Sequence, residues 1–173
     1  MERLPRNVIL DPSFLQLLGT TVVPQVAGDF VARERFLEGE DSRFVLDDNF
    51  KAWFLGKVEP AIQAGSASEK SLISCLLLKG TFDPNLIKEI GEEERAKTFL
   101  SVIWTLLERQ NVDEDGALLT TREYANIFFA YDVREVLRSV GVSHGFKGWH
   151  INAFPTTHVK AWAQGNRVFF EER

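Results

Sequence analysis

Residues 120–141 read TTREYANIFFAYDVREVLRSVG, and how this stretch folds decides the class of the whole chain. Thr120-Thr121-Arg122-Glu123 has the Ser/Thr-x-x-Glu spacing of a capping box, in which a hydroxyl and a carboxylate satisfy the first free amides of a helix. Gly141 stands where a left-handed residue closes such a helix. Between them, Ile127, Phe128, Phe129 and Tyr131 are apolar most of the way round a helical wheel, the pattern of a helix buried in a core. The stretch therefore predicts a helix over 121–139, and with it a mainly helical body.

The chain upstream reads the same way. Asp29 caps a predicted helix over 29–38, and Phe50, Trp53 and Phe54 give helical spacing over 48–56. Ser68 and Gly80 bracket a third helix over 68–79, which carries Cys75 between Ile73 and Leu76. Asp83-Pro84 is a helix start that opens a helical region over 84–110, notched at Gly91. In its second part Phe99, Val102, Ile103, Leu106 and Leu107 share one face. Phe14–Leu18 predicts a brief helix and Arg43–Leu46 a short strand.

Downstream, His144–Arg173 changes period from helical to alternating. Strands over 147–152, 157–163 and 167–171 predict an antiparallel β-meander, turned at Phe154-Pro155 and at Gln164-Gly165-Asn166. In that register His150 faces His158, Trp162 faces Phe169 and Lys160 faces Glu171. Alternation then gathers His150, Asn152, His158, Lys160, Trp162, Phe169 and Glu171 on one face. Trp149, Ile151, Val159, Ala161, Val168 and Phe170 form the opposite, core-facing side. The fold class expected is α+β in a single domain over 1–173, mainly helical over 1–141, with the meander over 144–173.

The chain of 173 residues is 45% apolar and 26% charged, which fits a globular protein with a sizeable core. Its one cysteine excludes an internal disulfide and fits a reducing compartment. No signal peptide and no apolar run of membrane-spanning length is visible, so a cytoplasmic location is expected. The net charge of −5 is uneven: residues 133–173 hold six Lys/Arg against three acids, while the body is acidic.

Several chemistries meet part of their requirements. The string VILDPSFLQLL (8–18) resembles the opening of PIN-type nucleases, which implies Asp11 as a metal-binding carboxylate. No later strand ending in Asp supplies the further carboxylates, so Asp11 reads as a turn or cap. The acid-rich loop 111–116 lacks the spacing of a calcium loop. In chain order Cys75, His158 and Glu171 resemble papain-like cysteine hydrolases, which implies nucleophile, base and orienting acid. Cys75, however, falls mid-helix, away from any helix start that would activate it. His150, His158 and Glu171 on one sheet face have ligand types suited to zinc, but Lys160 beside them repels a cation. A basic tail after a helix also resembles a winged-helix arrangement, with Arg134, Arg138, Lys147, Lys160 and Arg167 meeting phosphates.

No catalytic spacing is complete, and no cofactor or metal is implied. The function expected is a non-enzymatic, intracellular protein-binding module of the inhibitor, immunity or adaptor kind. It would act through the face bearing Trp162 and Phe169, with nucleic-acid binding or a cysteine hydrolase as the alternatives.

Overall fold

A computed structural model describes residues 14–26, 29–40, 42–56, 62–63, 69–111 and 113–172. The Val8–Leu10 run with Asp11, and the Gly65–Ser68 loop, lie outside the described residues. The elements in order are β1 (Leu15–Val23), β2 (Phe30–Val31), α1 (Ala32–Arg35), β3 (Phe44–Leu46), α2 (Asp48–Phe50, continued by a π-helical turn Lys51–Leu55), β4 (Ile62–Gln63), β5 (Lys70–Leu77), α3 (Asp83–Ile90), α4 (Glu93–Ala96), α5 (Leu100–Arg109), β6 (Asn126–Tyr131), β7 (Leu137–Gly145), β8 (Gly148–Pro155) and β9 (Arg167–Glu171). No helix among the described residues is long and apolar enough to cross a membrane.

The helical body is not formed. A seven-stranded mixed sheet in the order β1-β5-β9-β6-β7-β8-β3 takes its place, and β2 and β4 pair separately. Residues 121–139 are a loop followed by β6, a turn and the start of β7, with Phe128 opposite Val140 and Phe129 opposite Ser139. The apolar run was ambiguous because β6 is buried on both faces, and such a strand is as uniformly apolar as a buried helix. The same reason makes 68–79 the strand β5. Residues 29–38 hold only β2 and the single turn α1, and 14–18 begin β1.

The region 84–110 is three short helices. Gly91 (φ 111°) and Glu92 (φ 74°) adopt left-handed backbone between α3 and α4. Asp47 caps α2 through its carboxylate, which accepts from the Phe50 amide at 2.6 Å.

The meander is also redrawn. β8 pairs with β7 and, in parallel, with β3, while residues 156–166 form a loop tied down by a Trp162–Thr81 bridge and by backbone hydrogen bonds of Gly165 and Asn166 to Leu77 at the end of β5. β9 lies between β5 (antiparallel) and β6 (parallel). Phe169 is therefore opposite Ser74, not Trp162, and Glu171 is opposite Leu72, not Lys160.

Apolar side chains fill both sides of the sheet. On one side Phe128, Trp149 and Phe169 pack with Phe36, Phe50 and Phe54 and with the apolar face of α5. On the other, Ile73, Cys75, Phe129 and Phe170 pack under Leu86, Ile87 and Ile90 of α3. This second layer stops short of β8, and the polar residues begin there.

Candidate functional site

On the α3 side of the sheet β7 carries the small residues Ser139, Gly141 and Ser143, beside Phe129 and Ile127 of β6 and Phe154, Asn152 and His150 of β8. The space left over Gly141 is filled by Trp162. A Cβ added at Gly141 would stand 3.0 Å from the indole Cη2, so the glycine admits the ring. Trp162 is fixed by a two-way backbone bridge to Thr81 (2.8 and 3.1 Å) and by its indole Nε1, which donates to Asp83 Oδ1 at 2.6 Å. Asp83 Oδ2 accepts from Ser139 Oγ at 2.7 Å. Asp83 is the first residue of α3 but does not cap it; its carboxylate turns instead to the loop and the sheet.

Asp83 is almost wholly buried, and among the described residues no cation lies within ion-pair distance. Burial pushes its carboxyl above the usual value of 3.8, opposed by the Ser139 and Trp162 hydrogen bonds and by the charge of His158. Phe154 at the end of β8 meets Trp162 edge-on (5.7 Å, 81°) and His158 at 5.0 Å. His158 Nδ1 accepts from the Lys160 amide at 3.0 Å, which folds the loop back toward the sheet.

The opposite wall is the loop before β6. Tyr124 lies against Gly165, where a Cβ would be 2.5 Å from its ring and φ is +97°; both facts require glycine. Asn166 Oδ1 accepts from the Ala125 amide (2.8 Å) and His144 Nδ1 donates to the Thr120 carbonyl (2.7 Å). Between these walls is an open cleft of about 540 Å³, lined by Arg122, Tyr124, Phe154, His158, Lys160 and Trp162 among others. Arg122 stacks on Phe146 at the β7–β8 tip (3.8 Å), and Phe146 is 88% exposed. Val159, between two lining residues, is 89% exposed.

Of the seven residues that the sequence placed on one face, His158, Lys160 and Trp162 meet at this cleft. His150 and Asn152 share its sheet face on β8, opposite Ser143 and Gly141, with the His150 ring over Gly145. Phe169 and Glu171 are elsewhere: Phe169 stacks on Phe128 in the core, and Glu171 is buried with Lys70 at 3.2 Å. His150 is thus opposite Ser143, not His158, and among the described residues no group of three His, Cys, Asp or Glu is placed for a metal ion.

The hydrolase arrangement is not assembled either. Cys75 and Glu171 belong to opposite faces of the sheet, and burial pushes the Cys75 thiol up to about 12. The helix needed for a winged-helix reading is β6 and β7. Asp83, Ser139, Tyr124 and Arg122 were not legible as site residues, because only tertiary packing brings them to Trp162. The chain matches no known protein family, no curated protein and no solved structure in these comparisons.

Proposed function

We propose that the protein is a binding module that takes an acidic, apolar-bearing segment of a second protein into the cleft over β7. The observation that carries this reading is the rim: Phe146 and Val159 stand almost entirely in solvent beside a cleft floored by the anchored Trp162. Large apolar groups held in water beside a fixed indole have the composition of an interface centre.

Charge supports the sign of the partner. Arg122 and Lys160 line the cleft along with Glu123 and the hydrogen-bonded, buried Asp83, and Lys147 beside Phe146 adds a further positive charge at the rim, in a chain whose net charge is −5. The buried free thiol of Cys75 suits a cytoplasmic place of action. The inhibitor, immunity and adaptor roles all fit such a module, and none needs chemistry at the cleft.

A displayed library of random peptides panned on the full chain tests the proposal. Binders should be enriched in Asp or Glu next to aromatic or aliphatic residues. Their affinity should fall at least tenfold on Lys160→Glu or Val159→Ser. Absence of enrichment, or binders indifferent to both substitutions, would overturn it.

A further inference from the structure

We infer that the outer edge of β1 is a self-association surface through which two copies of this chain join their sheets. β1 is the terminal strand, and among the described residues it hydrogen-bonds in the sheet only to β5. An edge strand presents a row of N–H and C=O groups that match another extended strand, so the groups themselves name the class of occupant. Proteins commonly block such an edge with Lys, Pro or a very short strand. β1 has nine residues, LQLLGTTVV, with neither charge nor proline. The opposite edge, β3, has only three residues, and Glu38 already accepts from its Leu46 amide.

The surface is open and apolar. Leu17, Leu18 and Val22 are 48%, 45% and 49% exposed, and a Cβ added at Gly19 would meet nothing within 4 Å. The Val22 carbonyl faces away from the β1–β5 ladder and accepts from Arg109 Nη1 at 3.4 Å, an exposed contact that a paired copy would replace. A bulge between Leu17 and Gly19 leaves Gly19–Val23 as the regular half.

The strand's own sequence is the partner that fits. An antiparallel two-fold at Thr21 sets Thr21 opposite its copy, Val22 opposite Thr20, and Val23 opposite Gly19. Such a pairing holds a Thr–Thr contact and no like charges, as an isologous interface requires. A charged foreign strand would find no ion-pair partner on β1.

Five paired residues a side fall well below the ~1,600 Å² of a standard interface, so the association should be weak and concentration-dependent. The cleft lies toward the other edge of the sheet, so this inference stands or falls independently of the proposed partner site.

Sedimentation velocity of the full chain from about 1 µM to about 500 µM should show a monomer–dimer equilibrium. Thr20→Lys and Val22→Lys, both at exposed positions, should weaken it at least tenfold with unchanged circular dichroism. A chain that stays monomeric throughout, or folded lysine variants that dimerise as tightly as the parent, would overturn the inference. Should the variants misfold, amide exchange on the parent decides: β1 amides must gain protection as concentration rises, and a gain confined to other strands refutes the edge.

Discussion

Two buried aspartates on either side of β7 are held in opposite ways. Asp132 closes the β6–β7 turn: its Oδ1 accepts from the Arg134 and Val136 amides, and its Oδ2 pairs with Arg138 Nε at 2.8 Å. Arg138 in turn lies over the Trp53 ring at 4.0 Å. Asp83 has equally short hydrogen bonds but, among the described residues, no ion-pair partner, and its two donors come from a distant strand and from the cleft loop. The first arrangement secures a local turn by neutralising charge. The second ties together segments far apart in sequence and leaves a carboxylate whose ionisation burial opposes. Asp83 thus couples the start of α3, the sheet and the cleft loop through one carboxylate.

Arg138→Ala is the harshest test of this contrast. It strands a buried carboxylate and removes the cover of Trp53, and should destabilise by about 3 kcal/mol in urea unfolding. A loss under about 1 kcal/mol would mean that the two turn amides suffice for Asp132.

Asp83→Ala comes next, at about 2 kcal/mol, because the Trp162 indole and the Ser139 hydroxyl lose their acceptor in a buried place. Unlike Arg138→Ala, it should also shift the Trp162 indole resonance and weaken peptide binding. Retention of both would detach Asp83 from the cleft.

Ser139→Ala removes one donor to Asp83 and should cost about 1 kcal/mol, read from the same unfolding curves. Asp83→Asn should have the smallest effect, within about 1 kcal/mol, since the amide can still accept from Trp162 and donate to Ser139.

The last variant also reports on pH. Asp83 holds its proton more tightly folded than unfolded. Its contribution to stability is thus fully present below the ordinary value of 3.8 and is lost as pH rises through the raised folded value. Against the parent, Asp83→Asn should remove that fall, so its relative stability should grow as pH rises through this window. An unchanged pH profile would show that Asp83 does not carry the effect.

The sequence made some of this legible. Phe99-to-Leu107 periodicity located α5, the Phe50, Trp53 and Phe54 spacing located α2, and alternation found β8 and β9. Alternation failed where both faces are buried, in β5 and β6, since no polar residue interrupts Ile127–Tyr131 and only Ser74 interrupts Leu72–Leu77. The β6–β7 turn was hidden for a different reason. It runs Asp132-Val133-Arg134-Glu135 without glycine, and Glu135 itself takes the left-handed backbone at φ 60°. His158, Lys160 and Trp162 were visible as a polar and aromatic group near the end of the chain. Their partners Asp83, Ser139 and Tyr124 were not, because hydrogen bonds spanning 56 and 79 residues leave no local pattern.

The position of β9 bears on how the molecule is made. Among the described residues, 167–171 form the only ladder between the pair β1–β5 and the group β6-β7-β8-β3. During synthesis, neither part can join the other until Glu171 has left the ribosome. Until then β5 and β6, each apolar on both faces, wait with one edge open. Closure of the whole sheet is therefore governed by contacts of high sequence separation, slow by topology. Its most aggregation-prone species should be the nascent chain that lacks this one five-residue strand.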